Sequence, residues 1–154
     1  MNTSLIAMWK EGRTRFTQLL DKSSEADLVK KNGDSPNSAG FLIRHIAEVE
    51  LLFAKNVFGL SEVKIVAKTL IAGKDTGEWT NLAEQKEIAA YAAEMLEKAI
   101  SLQENWEEVI ETKEFGKKTR AEAIGKDHHP YRLPCRSVGF GVEVWEVIFK
   151  SISG

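Results

Sequence analysis

The chain contains one cysteine, Cys135, and this scarcity excludes an internal disulfide framework. The first residues, MNTSLIAMWKEGRTRF, become charged too early for a secretory signal peptide. Both observations favour a reducing compartment, so we expect a cytoplasmic protein.

Long apolar runs and an excess of one charge are also missing. No run approaches the roughly 20 apolar residues of a membrane-spanning helix, so we expect no membrane association. The net charge is −2 and the isoelectric point is close to 6.0, a balance that does not favour nucleic acid as a partner. A hydrophobic content of 43% in 154 residues is sufficient for one domain with its own core.

Three long helical patterns occupy most of the chain before residue 104. They cover residues 4–21, 38–59 and 82–103, and apolar side chains recur in each at spacings of three and four residues. In the first helix these side chains are Leu5, Met8, Trp9, Phe16, Leu19 and Leu20, and Gly12 lies on the same stripe. In the second they are Leu42, Ile46, Val49 and Phe53, and in the third Ile88, Ala92, Met95, Ala99 and Leu102.

Capping residues define the ends of these helices. Asn37 or Ser38 can cap the second helix, and Gly59 is a natural stop for it. Asn81 followed by Glu84 resembles a capping box at the start of the third helix. The intervening residues 22–37, with one helical turn at 25–30, and 60–80 are predicted connections.

A fourth helix begins and then stops. In residues 104–118, Trp106, Val109 and Ile110 can extend the third helix, and Phe115 and Gly116 end it. The sequence TRAE, residues 119–122, is a second capping box and predicts a helix from Arg120. Gly125 and two prolines, at 130 and 134, then prevent that helix from continuing. We therefore predict an all-α four-helix bundle in a single domain, residues 1–154, whose fourth helix is altered or incomplete.

His45 borders the apolar stripe of the second helix, next to Ile46. On spacing alone, a histidine at the edge of the core is the favoured interpretation. A metal ligand is the alternative, because a neutral imidazole inside a bundle suits zinc, nickel or iron, but two further protein ligands are then needed.

The segment GKDHHPYRLPCRSVGFG, residues 125–141, concentrates other reactive side chains. His128 and His129 are weaker candidates for metal ligands, since adjacent histidines point in different directions and a solvent-exposed turn explains them. Cys135 lies near Arg132 and Arg136, which can lower a thiol pKa, but no base for a nucleophilic cysteine is evident.

The segment SAGFLIRHIAEVELLFAKNVFG closely resembles the second helix of DinB-like proteins, a superfamily that includes YfiT-like metal-dependent hydrolases and thiol S-transferases. WTNLAEQKEIAAYAAEMLEKAI and EFGKKTRAEAI resemble its third helix and the lead-in to its fourth, so the resemblance covers residues 1–124. It implies a four-helix bundle with a long connection between helices two and three. It also implies a divalent metal held by three histidines, one on the second helix and two on the fourth in an H-x-x-x-H arrangement. His45 matches the first of these ligands.

The chain departs from this pattern where the fourth helix is expected. The family has something like HTAYHAGQ there, whereas residues 130–138 read PYRLPCRSV, and no H-x-x-x-H occurs anywhere in the sequence. With allowed codons, reading one base forward turns residues 126–129 into KIIT and the stretch from Pro130 to Glu146 into HTAYHAGQLALALKYG. We hypothesise that residues from about 125 to 154 are an out-of-frame tail, through a mutation or an error in the sequence record.

Two functions remain open from the sequence. The resemblance implies a metal-dependent hydrolase or a thiol S-transferase, with a thiol or another small molecule as cosubstrate and with zinc, nickel or iron as the metal. The alternative is a non-catalytic bundle that binds a partner or forms a homodimer, because one family ligand, His45, cannot hold a metal firmly. We expect no nucleic acid partner from the acidic balance.

Overall fold

The structure, a computed structural model, describes residues 3–31, 33, 37–69, 79–112 and 116–124. Within them are five α-helices: α1 (Thr3–Asp21), α2 (Glu25–Leu28), α3 (Ala39–Leu52), α4 (Leu82–Ser101) and α5 (Arg120–Ile124). A π-helical turn (Phe53–Val57) continues α3, and strands β1 (Val109–Thr112) and β2 (Gly116–Thr119) precede α5. Helices α1, α3 and α4 are the first three predicted bundle helices, and α5 is the start of the fourth. None of the described helices is long and apolar enough to cross a membrane.

Helix α3 lies at the centre of the fold, as the burial of every one of its residues shows. It packs mainly against α4, with α2 against its first turns, while α1 packs on α4. The predicted stripe of Leu42, Ile46, Val49 and Phe53 belongs to the core. Burial extends beyond that stripe to charged residues, so the sequence pattern underestimated how much of this helix is enclosed.

The buried residues of α1 agree with the predicted stripe in part. Trp9, Phe16 and Leu20 are buried as expected, but Arg13 completes this row and Met8 is exposed. Among the described residues, no heavy atom outside the backbone of its own helix lies within 4 Å of a Cβ built on Gly12. The side chain of Leu5 lies outside the described part of the chain.

The predicted helix ends are confirmed. The Ser38 side chain accepts a hydrogen bond from the Phe41 backbone N–H at 3.2 Å, and Asn81 Oδ1 accepts one from Glu84 at 3.1 Å. After the π-helical turn, Gly59 adopts a positive φ of 74°, and the Leu60 N–H donates to the Ala54 carbonyl at 2.9 Å. This geometry ends the helix as a glycine-terminated motif does.

The helical extension considered for Trp106, Val109 and Ile110 is wrong. The chain forms an antiparallel hairpin there, with Val109 opposite Thr119 and Thr112 opposite Gly116. The β-branched side chains of VIET favour a strand, and Trp106 leaves the helix axis to pack edge-on against Phe58. The described residues are otherwise mainly helical, as the predicted fold class requires, and this two-stranded sheet is a small addition to it.

The predicted capping box at the start of the fourth helix is confirmed. The Thr119 N–H donates to Glu122 Oε2 at 2.9 Å, and the Glu122 N–H donates to Thr119 Oγ1 at 3.1 Å. Arg120 attaches this end to the bundle by donating to the carbonyls of Val57 and Asn105, at 2.8 and 3.0 Å. Residues 125–154, with the predicted break in the helix, lie outside the described residues.

Candidate functional site

His45 lies on the second turn of α3 and is 7% exposed. Its Nδ1 atom is 3.0 Å from Thr69 Oγ1, a residue of the connection that follows the π-helical turn. The ring stacks on Phe41 one turn earlier, with centroids 5.8 Å apart and the two planes 8° from parallel. A polar contact and an aromatic contact therefore fix the orientation of the imidazole.

The carboxylate of Glu48, one turn after His45, joins the connection to α3. It accepts hydrogen bonds from the backbone N–H groups of Lys68 and Thr69 at 2.5 and 3.1 Å, and from the Thr69 hydroxyl at 2.7 Å. Arg44 Nε also donates to it at 3.1 Å. These donors compensate for the burial of a charge that water does not reach.

Arg44 extends this cluster in two directions. One terminal nitrogen donates to the Val66 carbonyl at 2.8 Å, and the other lies 3.8 Å from Glu84 at the start of α4. Lys68 Nζ approaches the same Glu84 carboxylate at 3.4 Å. The cluster therefore connects α3, α4 and the connection between them around His45.

Trp79 is a second aromatic neighbour of Phe41. The two rings meet edge to face with centroids 5.9 Å apart. The backbone of Gly40 approaches Trp79 so closely that an added Cβ would lie 2.2 Å from the Trp79 carbonyl oxygen. Only glycine fits this position without a shift of the backbone, which ties Trp79 to the first turn of α3.

Burial lowers the pKa of His45 to about 4, whereas the negative charge of Glu48 acts in the opposite direction and raises it. The imidazole is consequently neutral near pH 7. A neutral imidazole is the form that binds a metal ion or accepts a proton. Its donor chemistry suits zinc, nickel or iron, so His45 fits the role of one metal ligand.

A complete metal site does not form within the part of the chain that the structure describes. No group of three or more His, Cys, Asp or Glu side chains in those residues is arranged to hold an ion. Glu48 is near His45, but its oxygens accept hydrogen bonds from Lys68, Thr69 and Arg44. The other sequence candidates, namely His128, His129 and Cys135, lie outside the described residues.

Three residues around His45 were not singled out from the sequence: Arg44, Glu48 and Thr69. The first two are four residues apart on a helix, a spacing that brings opposite charges together. Glu48 also follows His45 by three residues, so a helical projection places both on neighbouring surfaces. Thr69 is 24 residues from His45 along the chain, and no sequence pattern indicates that contact.

Comparison with known proteins identifies a family. A family model described as the DinB superfamily matches residues 8–128, which is more than half of the chain, and the chain belongs to this superfamily. No curated protein and no solved structure matches it.

Proposed function

We propose that this member of the DinB superfamily derives from a metal-dependent hydrolase or thiol S-transferase. In this proposal His45 is the one ligand of the ancestral metal site that the written sequence retains. The observation that carries the proposal is the environment of His45: a buried, neutral imidazole whose Nδ1 contacts Thr69. A metal-binding histidine commonly has its second ring nitrogen held by a hydrogen-bond partner.

The chain's own residues would orient and protect the bound ion. Thr69 and Phe41 hold the imidazole ring, and burial keeps it unprotonated near pH 7. When bound, zinc, nickel or iron lowers the pKa of a coordinated water or thiol and so supplies a nucleophile near neutral pH. The substrate class that fits is a small molecule, with a thiol as cosubstrate in the transferase case.

The ligand set of the written sequence is incomplete. It contains no H-x-x-x-H, and the family match ends at residue 128, two positions before Pro130. The capping box of α5 starts a helix that the written sequence interrupts with prolines. These observations support the hypothesis that the two missing histidines are encoded one base forward.

The nucleotides of the gene test the frame hypothesis directly. Codons 126–146 should spell KIITHTAYHAGQLALALKYG in the forward frame, and codons that cannot do so end the hypothesis. The intact mass of protein purified from its source then shows which C-terminal sequence the cell makes. A mass that matches the written 154 residues supports a real shift, and a mass that matches the forward frame supports an error in the record.

Metal analysis tests the functional consequence in the chain as written. We expect no stoichiometric zinc, nickel or iron bound through a three-histidine site, because one imidazole is insufficient. Close to one tightly held ion per chain, lost in His45→Ala, would contradict this expectation. His128→Gln together with His129→Gln is the matched control, and loss of metal there would implicate those two residues.

A second candidate function is a non-catalytic bundle that binds a partner or forms a homodimer in the cytoplasm. The absence of any H-x-x-x-H from the 154 residues favours it. In this proposal the prolines at 130 and 134 leave the fourth helix incomplete, and the apolar face of the bundle is covered by residues 141–153 or by a second copy of the chain. Sedimentation of the purified chain distinguishes a monomer from a dimer.

A further inference from the structure

The hydrogen bonds around Glu48 determine where the nearby protons lie. Three of the groups that contact its carboxylate in the described residues can only donate: two backbone N–H groups and the Arg44 guanidinium. The fourth is the Thr69 hydroxyl, which can donate or accept. The ionised carboxylate accepts from all four, and in this form Glu48 acts only as an acceptor.

This requirement fixes the direction of the Thr69 hydroxyl. The hydroxyl has one hydrogen, and the contact of 2.7 Å between Thr69 Oγ1 and Glu48 Oε2 uses it, because an ionised carboxylate cannot donate. Thr69 Oγ1 therefore faces His45 Nδ1 with a lone pair across 3.0 Å. The hydrogen of that second bond has to come from the imidazole.

We infer that Glu48 and Thr69 are positioning residues that hold His45 in the tautomer protonated at Nδ1. The lone pair of the neutral ring then lies on Nε2, which makes Nε2 the atom through which His45 would bind a metal. The inference deepens the proposed function and rests on it for the role of that lone pair. The usual partner of a ligating histidine is a carboxylate, a carbonyl or a water. Here the partner is the hydroxyl of Thr69, which is itself hydrogen-bonded to the buried carboxylate of Glu48.

A purely structural role for the same contacts makes a different prediction. The backbone N–H groups of Lys68 and Thr69 fasten the connection to Glu48 without any side chain at position 69. If Thr69 were only part of this attachment, replacing its hydroxyl by a methyl group would leave the histidine proton where it is. The inference predicts that the proton moves, because Nδ1–H loses its acceptor.

Nitrogen NMR of the full metal-free chain, labelled with ¹⁵N-histidine, distinguishes these cases at pH 7. Protonated and unprotonated ring nitrogens resonate far apart, and the His45 signals are identified by their loss in His45→Gln. We expect the Nδ1–H form in about tenfold excess, because a hydrogen bond in a charged network shifts an equilibrium by about that factor. Predominant Nε2–H, or protonation of both nitrogens, would overturn the inference.

The variants test the relay itself. Thr69→Ser keeps the hydroxyl and should preserve the Nδ1–H form, whereas Thr69→Val should lose the excess and populate Nε2–H. Thr14→Val is the matched control, since the Thr14 hydroxyl bonds to the Lys10 carbonyl on an exposed face of α1. An unchanged tautomer in folded Thr69→Val, or a changed one in Thr14→Val, would contradict the relay.

A second variant covers the case in which Thr69→Val does not fold. In Glu48→Gln the amide can donate to Thr69, which frees the hydroxyl to donate to Nδ1, so the Nε2–H form should increase. The same substitution at Glu50, the other buried glutamate of α3, should leave the tautomer unchanged. If the tautomer is unchanged in Glu48→Gln, the inference is wrong and the proposed function is unaffected. If a chain with the restored fourth helix shows the Nδ1–H form but binds no metal, the proposed function is wrong instead.

Discussion

The two buried glutamates of α3, Glu48 and Glu50, are both inaccessible to solvent, yet their carboxylates contact different parts of the fold. Glu48 gathers donors from the connection beside His45. Glu50 pairs with Arg13 of α1 at 3.1 Å. Helix α3 therefore contains two buried carboxylates with different roles. Glu48 orders the surroundings of His45, and Glu50 joins α3 to α1.

The Arg13 region has the character of a helix-joining contact. The Arg13 side chain also donates to the Ala89 carbonyl of α4, and its guanidinium lies 4.6 Å from the centre of the Phe16 ring. Three helices therefore meet at one cation. Because Glu50 follows Glu48 by two residues, the 3.6-residue turn of the helix places the two carboxylates on different faces of α3. The consequence is a separation of roles that variants of each region can test.

The largest expected effect is the loss of Arg13. Arg13→Ala should lower the free energy of unfolding by about 3–5 kcal/mol, because it removes the cation paired with a buried carboxylate. Urea denaturation measures the change. The exposed pair between Arg15 and Glu11 on the same helix is the matched control, and Arg15→Ala should cost about 0.5 kcal/mol or less.

Arg13→Ala should leave the His45 tautomer unchanged while it destabilises the fold, because the two regions have separate contacts. Replacing both partners, Arg13→Leu with Glu50→Leu, should recover most of the lost stability, since buried ion pairs are often replaceable by apolar side chains. A cost below about 1 kcal/mol for Arg13→Ala would show that this pair does not join the helices.

The second-largest expected effect is a loss of folding stability at acidic pH, caused by His45. The pKa of His45 is about 4 in the folded chain against 6.5 as the ordinary value, so the unfolded chain binds more protons between those pH values. Stability therefore falls as the pH decreases from 6.5 to 4, by about 3 kcal/mol in total. Asp27, with a pKa lowered to about 2, titrates below this window.

Denaturation at pH 7 and pH 4.5 measures this dependence, with His45→Gln as the comparison. The variant should lose most of the pH dependence that the unmodified chain shows in that range. Equal dependence in both proteins would mean that His45 is not held neutral by burial, and the contrast with the Arg13 region would fail.

The third-largest expected effect is a loss of folding stability in Gly40→Ala, in the first turn of α3 near His45. The new Cβ would lie 2.2 Å from the carbonyl oxygen of Trp79 and 3.1 Å from that of Leu28, both of which are backbone atoms. Overpacking of this kind costs about 1–3 kcal/mol. Thermal denaturation measures the change, and stability equal to that of the unmodified chain would show that Trp79 can retreat without cost.

The smallest expected effect has the opposite sign and lies on α1. The Cβ of Gly12→Ala meets no atom of another element within 4 Å in the part of the chain that the structure describes, and the change removes a glycine from a helix interior. It should stabilise the protein by about 1 kcal/mol or less, through helix propensity and a less flexible unfolded chain. A loss of stability in the same denaturation series would indicate that an unseen contact requires this glycine.

Local signals predicted much of the fold. The caps at Ser38, Asn81 and Thr119 act through neighbouring atoms, so spacing in the sequence was sufficient to place three helix starts. The hairpin was missed because Trp106, Val109 and Ile110 also fit a helical period. Their strand geometry follows from β-branching and from the contact of Trp106 with Phe58, which no local pattern encodes.

The candidate site was predictable only in part. His45 was found through resemblance, because its position beside an apolar stripe alone favours an ordinary core histidine. Its connection to Thr69 depends on how residues 60–69 return to α3, and this path is set by tertiary contacts of Glu48. Arg13 was missed from the buried row of α1 for a similar reason, since it is buried where it pairs with Glu50 of α3.

The amount of zinc retained by a frame-restored chain tests the central claim most directly. In this protein KIITHTAYHAGQLALALKYG replaces residues 126–145, and zinc is measured after gel filtration with and without His45→Ala. The account predicts about one ion per chain, lost in His45→Ala and kept in Glu50→Gln, because a three-histidine site suits zinc with one open position. No retained zinc in the folded frame-restored chain, or zinc that remains after His45→Ala, would contradict it.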